Sequence, residues 1–208
     1  MFPKSAEDDK MKYVEGFLKE VQEVAAKLDQ GRISEMISVL KDIRDKGGRL
    51  FFLGVGGSAA NASHAVNDFR KICGFEAYSP LDNVSELSAR INDEGWESAF
   101  VDWLAQSKLR REDGIFVFSV GGGNAEKNIS ANLVRAMDYA KEKGAKILGI
   151  VGRDGGYTAK CADACVIVPT IRSGTVTAQT EAFQAVVWHL IVSHPDLKVR
   201  EMKWESIK

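Results

Sequence analysis

The sequence of 208 residues is short of cysteine, of net charge and of long apolar runs. Its three cysteines, Cys73, Cys161 and Cys165, are loosely spaced and have no CxxC partner or nearby histidine. That argues against a disulfide framework and reads as buried thiols. The net charge of −1 and pI of about 6.3 provide no broad positive field for nucleic acid or an anionic membrane. Any anion site must therefore be local, and no nucleic-acid partner is expected. No stretch reaches the ~20 apolar residues needed to cross a bilayer, so no membrane partner is expected either. The N-terminal residues carry no apolar signal region, which points to the cytoplasm. There is no repeat or low-complexity segment. What remains is an ordinary globular composition, 45% hydrophobic and 27% charged, with enough apolar residues for a sizeable core.

Two helices lead the chain. Ser5 with Glu7 and Asp8 reads as a helix start, and Tyr13, Phe17, Val21, Val24 and Leu28 recur at helical spacing up to Gly31. A second helix is expected from about Ser34, carrying Met36, Ile37, Leu40 and Ile43, and ending at Gly47 and Gly48. The pattern then changes to short, continuous apolar runs at 49–55, 114–119, 146–151 and 164–169, with a shorter one at 77–80. Such runs suit buried parallel strands. Helices are expected between them, from about Ser58, over 84–91, 96–109 and 124–143, and a last one over 177–193. Strands alternating with helices predict an α/β fold, a three-layer αβα sandwich with a mostly parallel sheet. Residues 1–48 form an N-terminal helical extension and 49–208 the α/β domain, in one structural domain overall.

Two strands end in glycine-rich turns that open helices, Gly54-Val-Gly-Gly-Ser58 and Ser119-Val-Gly-Gly-Gly-Asn124. Glycine lets backbone N–H groups approach a ligand closely, and a helix N-terminus adds unsatisfied N–H groups and partial positive charge. Together these make phosphate sites, here at the carboxyl ends of strands where α/β sheets bind ligands. Tight βα turns also use glycine for steric reasons alone. Neither loop fits GxxxxGK[ST], and the first lacks the third glycine of GxGxxG. A sugar phosphate is favoured over a nucleotide, and no nucleotide cofactor is expected.

His64 and Asp68 share a helix face at i and i+4. On the last helix Glu181, Gln184 and His189 stand among apolar residues, with Glu181 and His189 about 80° apart around the axis. Since that helix is apolar nearly all round, it is expected to be buried, and buried carboxylates and imidazoles need partners. Two histidines and two carboxylates can meet around a divalent metal, zinc among others. They can equally form His–carboxylate hydrogen bonds that only stabilise the core. His194, beside Pro195, reads as a helix-end cation.

Taken in order, Gly54-Val-Gly-Gly-Ser-Ala, His64 with a carboxylate four later, Ile91-Asn-Asp-Glu-Gly, Ser119 to Asn124, Gly152-Arg-Asp-Gly-Gly156 and His189 eight after Glu181 resemble the SIS (flavodoxin-like) domain family, in particular its phosphoheptose isomerases. The resemblance covers nearly the whole chain. It implies a homotetramer with active sites between subunits, interconverting sedoheptulose 7-phosphate and D-glycero-D-manno-heptose 7-phosphate through an enediol. It implies Asp68 as base and His189 as acid, and zinc on His64, Asp68, Glu181 and His189. It further implies substrate contacts at Gly56, Gly57, Ser58, Asn92, Asp93, Ser119, Val120, Gly121, Gly122, Gly123, Asn124 and Glu181. Such a reaction needs a base at the carbon acid, a proton source for oxygen and stabilisation of an enediolate.

The chain departs from the family in several places. The family has Glu at Asp68 and Gln at Glu181. Its second loop reads Ser-Thr-Ser-Gly-Asn-Ser, where this one is a residue longer and poor in hydroxyls. Ile72 stands where the family has a basic residue. These departures keep open a non-catalytic SIS protein that binds a sugar phosphate or associates with a replication initiator. Another SIS enzyme, such as an arabinose-5-phosphate isomerase or a sugar-phosphate lyase, is a third reading.

Overall fold

The structure, a computed structural model, describes residues 6–207; the expected cap at Ser5 lies outside them. Five strands, β1 (Leu50–Gly54), β2 (Ala77–Tyr78), β3 (Gly114–Ser119), β4 (Lys146–Val151) and β5 (Ala164–Ile167), form one parallel sheet in the order β2-β1-β3-β4-β5. Every residue of β1 and β3 is buried, as expected of strands covered on both faces. One face carries α2 (Gln30–Asp45), α3 (Gly57–Lys71) and α8 (Val176–Ser193), which close a core with Phe52, Phe116 and Phe118. The other carries α5 (Ala99–Gln106) and α6 (Ala131–Lys143) over Phe51, Leu53, Ile115 and Val117. These two layers on a parallel sheet are the expected sandwich.

The chain leaves β1 on one side to pair β2 and returns on the other to pair β3. The loops after β1 and β3 thus part toward opposite faces. This is the switch point at which open α/β sheets bind ligands.

Several boundaries differ from the sequence expectation. Gly31 does not end the first helix, α1 (Ala6–Lys27). It lies in the first turn of α2, because Asp29 caps that helix by accepting the Arg32 N–H at 3.0 Å. Ile33, Met36, Ile37, Leu40 and Ile43 of α2 are buried in the sheet core, so α2 is a layer of the sandwich. In α1, by contrast, Met11, Tyr13, Val14 and Leu18 are exposed. Asn92 and Asp93 lie on the last turn of α4 (Val84–Asp93), not in a loop. Helix α6 begins at Ala131, seven residues later than expected. Asn124 and Ile129 instead exchange both backbone hydrogen bonds, at 2.9 and 3.0 Å, and the Asn124 side chain turns the chain by accepting the Lys127 N–H. A short helix that the sequence reading missed, α7 (Gly156–Cys161), follows β4. Among the described residues no helix is long and apolar enough to cross a membrane.

Candidate active site

Helices α3 and α8 lie side by side and run the same way. Gly57 meets Glu181, Asn61 meets Gln184, and His64 and Asp68 meet Trp188 and His189. Polar bonds fix this register. The Asn61 amide donates to the Glu181 carbonyl at 2.9 Å and to Gln184 Oε1 at 2.8 Å. Gln184 Nε2 donates to Ser58 Oγ at 3.0 Å. Gln184 is fully buried, and these bonds meet the demand its amide makes there.

Two turns farther along, His64, Asp68 and His189 converge, and their candidate ligand atoms lie within 4.8 Å of one another. Asp68 Oδ2 stands 3.5 Å from His64 Nε2 and 3.4 Å from His189 Nε2. The same oxygen accepts the Trp188 indole N–H at 3.1 Å, and Oδ1 accepts Asn67 Nδ2 at 3.0 Å. Asp68 is buried, while both imidazoles are about half exposed. The cluster therefore opens outward. The expectation that α8 is buried all round does not hold, since Val186, His189 and Leu190 form an exposed strip.

The donor set suits a cation. His189 Nδ1 lies 2.7 Å from the Ala185 carbonyl, which can only accept, so Nδ1 carries the proton. In the neutral ring Nε2 then presents a lone pair to the Asp68 carboxylate. Two acceptors face each other, an arrangement that a cation or proton between them relieves. A ligand histidine whose other nitrogen donates to a backbone carbonyl is a common metal arrangement.

Of the four residues expected to share an ion, three meet and Glu181 falls outside the group. Its carboxylate lies at the start of α3 instead. A Cβ on Gly57 would stand 2.4 Å from Glu181 Oε2, which shows how closely the carboxylate lies against the first residue of α3. Among the described residues this carboxylate accepts no hydrogen bond. The N–H groups of Gly57 and Ser58, at the first turn of α3, likewise meet no carbonyl among the described residues. Ser58 is buried, with its hydroxyl taken up by Gln184.

The second loop is fastened to α7. Ser119 Oγ accepts the Gly122 N–H at 3.0 Å. The Gly122 and Gly123 carbonyls accept the Thr158 and Tyr157 N–H groups at 2.9 and 2.8 Å. Gly122 and Gly123 both have positive φ, at 68° and 79°, and a Cβ on Gly122 would stand 2.0 Å from the Gly155 carbonyl oxygen. Val120 and Gly121 are partly open. Gly121, Gly123, Asn124 and the 125–129 turn also line a cleft of about 440 Å³ against Arg153 and Tyr157. Asn92 donates to Asp93 at 2.7 Å, and no hydrogen bond or ion pair ties either residue to the His64 cluster. His194, the C-cap residue of α8, has Nδ1 3.2 Å from the Asp196 backbone nitrogen and 3.9 Å from the Asp196 carboxylate. Burial pushes the Cys73 and Cys165 thiols up to about 12 and Cys161 up to about 11, which leaves no activated thiol nucleophile.

A family model described as SIS domain matches residues 12–152. The chain belongs to the SIS domain family. Among curated relatives of this SIS protein, the lincomycin biosynthesis protein LmbN of Streptomyces lincolnensis is 31% identical over 195 residues, covering 90% of the chain and 70% of the relative. A phosphoheptose isomerase of Rhodospirillum rubrum is 30% identical over 164 residues, covering 76% and 81%. The structure of phosphoheptose isomerase GmhA from Neisseria gonorrhoeae matches with a TM-score of 0.76 at 23% identity, covering 88% of this chain and 96% of that one. At that identity the likeness speaks for the fold.

The residue that sequence reading missed is Trp188. A buried tryptophan needs an acceptor for its N–H, and on a nearly apolar helix that need was the available signal.

Proposed function

We propose that the chain is a sugar-phosphate aldose–ketose isomerase, interconverting sedoheptulose 7-phosphate and D-glycero-D-manno-heptose 7-phosphate through an enediol. The observation that carries this reading is the meeting of His64, Asp68 and His189, with His64 about 10 Å along α3 from the N–H groups at Gly57 and Ser58 that meet no carbonyl among the described residues. An extended sugar phosphate spans that distance with its phosphate at the loops and its carbonyl end at the cluster. Curated phosphoheptose isomerases among the relatives agree with the reaction class.

In this proposal His64, Asp68 and His189 hold a divalent metal, zinc by their chemistry. Held there, an ion would supply Lewis-acid polarisation of a substrate carbonyl. The Asp68 carboxylate takes a proton from the carbon beside the carbonyl, exchanges it in part with solvent, and gives a proton to the former carbonyl carbon. His189 moves the proton between the two substrate oxygens, a step in which its Nε2 lone pair is off the ion, since one lone pair cannot hold a metal and a proton together. Gly56, Gly57, Ser58 and, in the second loop, Val120, Gly121 and Gly123 present backbone N–H groups to the phosphate, the Gly122 and Asn124 N–H groups being taken within the loop. Glu181, placed over Gly57, and Asn92 with Asp93 accept from sugar hydroxyls. A homotetramer with its sites between subunits is part of the proposal. The exposed Val186 and Leu190 beside His189 and the apolar face of α1 are the surfaces it would cover.

A second reading, a non-catalytic SIS module that binds a sugar phosphate, draws on the second loop, whose Gly122 and Asn124 N–H groups are spent on Ser119 Oγ and the Ile129 carbonyl. Incubating the purified protein with a panel of sugar phosphates and separating the products decides between them. Isomerisation of one sugar, lost in Asp68→Asn and His189→Ala, supports the enzyme. Tight binding without any product supports the module.

A further inference from the structure

We propose that Trp188 is a positioning residue for Asp68, holding carboxylate Oδ2 midway between the two imidazoles. The inference rests on the isomerase reading above and adds a residue to its machinery. Trp188 is 1% exposed, and its ring stacks on Phe118 at 5.8 Å and 15°. Phe118 belongs to β3 and pairs in register with Gly54 of β1 and Ile150 of β4, so the indole is anchored to the middle of the sheet. The indole's one polar atom, Nε1, can only donate, and it donates to Asp68 Oδ2.

That oxygen has two lone pairs. The indole takes one, and the other is left facing His64 Nε2 at 3.5 Å and His189 Nε2 at 3.4 Å. Asn67 occupies Oδ1, so the carboxylate is held at both ends. The tryptophan ring also meets His64 edge-on at 5.3 Å and lies 4.9 Å from the His189 ring. One buried side chain thus borders all three members of the cluster. A phenylalanine keeps an aromatic ring against Phe118, with a small cavity where the second indole ring stood, so Trp188→Phe removes the N–H and Phe118→Leu controls for lost packing. Without the N–H only the Asn67 bond at Oδ1 restrains the carboxylate's last torsion, and Oδ2 is no longer fixed between the imidazoles. Misplacement of a reacting group by about 1 Å costs on the order of 100-fold in rate, and loss of a partner behind a metal ligand costs about 10- to 100-fold in metal affinity.

The test compares Trp188→Phe, which keeps the stack and loses the donor, with Phe118→Leu, which keeps the donor and loses the stack. Metal-free protein is titrated with zinc, and kcat, KM and Tm are measured on each variant. The proposal expects Trp188→Phe to lose at least tenfold in zinc affinity and in kcat, with KM within threefold of wild type. Phe118→Leu should lose Tm with zinc affinity within threefold. Equal losses in the two variants, or Trp188→Phe within threefold of wild type throughout, overturn it. Should Trp188→Phe not fold, the indole N–H resonance of Trp188 reads the bond in the intact protein. It should move when zinc is added and again in Asp68→Ala, and a resonance indifferent to both overturns the proposal. Wild-type protein that binds no zinc and converts no sugar phosphate counts against the isomerase reading, while the Asp68→Ala shift still reports on the Trp188–Asp68 bond.

Discussion

Glu181 and Gly57 meet where the phosphate is proposed to bind: the Glu181 carboxylate covers the first residue of α3, so closely that a Cβ on Gly57 would stand 2.4 Å from Oε2. A helix N-terminus attracts anions, and here the protein's own carboxylate is already beside it. In the isomerase proposal Glu181 therefore weakens phosphate binding at Gly57 and Ser58 without removing the N–H groups that hold it. Replacing Glu181 with Gln removes the repulsion and keeps the shape. We expect inorganic phosphate to inhibit Glu181→Gln at about threefold to tenfold lower concentration than wild type, the effect of one like charge at short range in a partly solvated site. Unchanged phosphate inhibition would place the phosphate away from Gly57.

The facing lone pairs of His189 Nε2 and Asp68 Oδ2 predict that metal stabilises the fold. A ligand present at about 100 times its Kd adds about 2.7 kcal/mol. For a chain of this length that raises Tm by roughly 5–10 °C. Stripping the protein with a chelator should lower Tm by that amount and zinc should restore it, whereas His64→Ala should show no response to zinc. A stripped wild-type protein that melts at the same temperature with and without zinc contradicts the metal site.

Asp113 predicts an acid sensitivity far from the site. It is fully buried and accepts from Arg49 N at 2.9 Å, Arg49 Nη2 at 2.7 Å and Arg110 N at 3.1 Å. Burial alone would raise its pKa, but the hydrogen bonds and charge of Arg49 outweigh burial and hold the carboxyl below its ordinary value. A lowered folded pKa gives stability that is fully present above the unfolded value, about 3.9, and is lost as pH falls through the folded one. Asp113→Asn should cost about 3 kcal/mol at neutral pH. In urea melts the gap between the two proteins should stay constant above about pH 5 and narrow below about pH 4. A gap that widens on acidification contradicts this account of Asp113.

Much of the fold could be read from the sequence because its signals are periodic. The apolar runs of β1, β3 and β4 and the i, i+4 face of His64 and Asp68 follow directly from strand and helix geometry. The failures are local or long-range. Ala125, Glu126 and Lys127 are good helix formers, yet the Asn124 side chain and the Asn124–Ile129 bridge turn them into a tight loop. Gly31 looks like a helix end, but the capping bond of Asp29 outweighs it. The eight-residue spacing of Glu181 and His189 gave their common face correctly but hid about 12 Å along the axis. That separation puts Glu181 at Gly57 and leaves the His64 cluster with three members. The bond from Trp188 to Asp68 joins residues 120 apart and depends on packing that no local pattern records.

The central claim is that this site moves a proton between adjacent carbons of a sugar phosphate. The most direct measurement is proton NMR of sedoheptulose 7-phosphate with the zinc-loaded protein in deuterated water. The account predicts deuterium entering C1 of the ketose and C2 of the aldose formed from it, and loss of both signals of exchange by at least a hundredfold in Asp68→Asn. Formation of the aldose without solvent deuterium, or exchange that persists in Asp68→Asn at the wild-type rate, would contradict it.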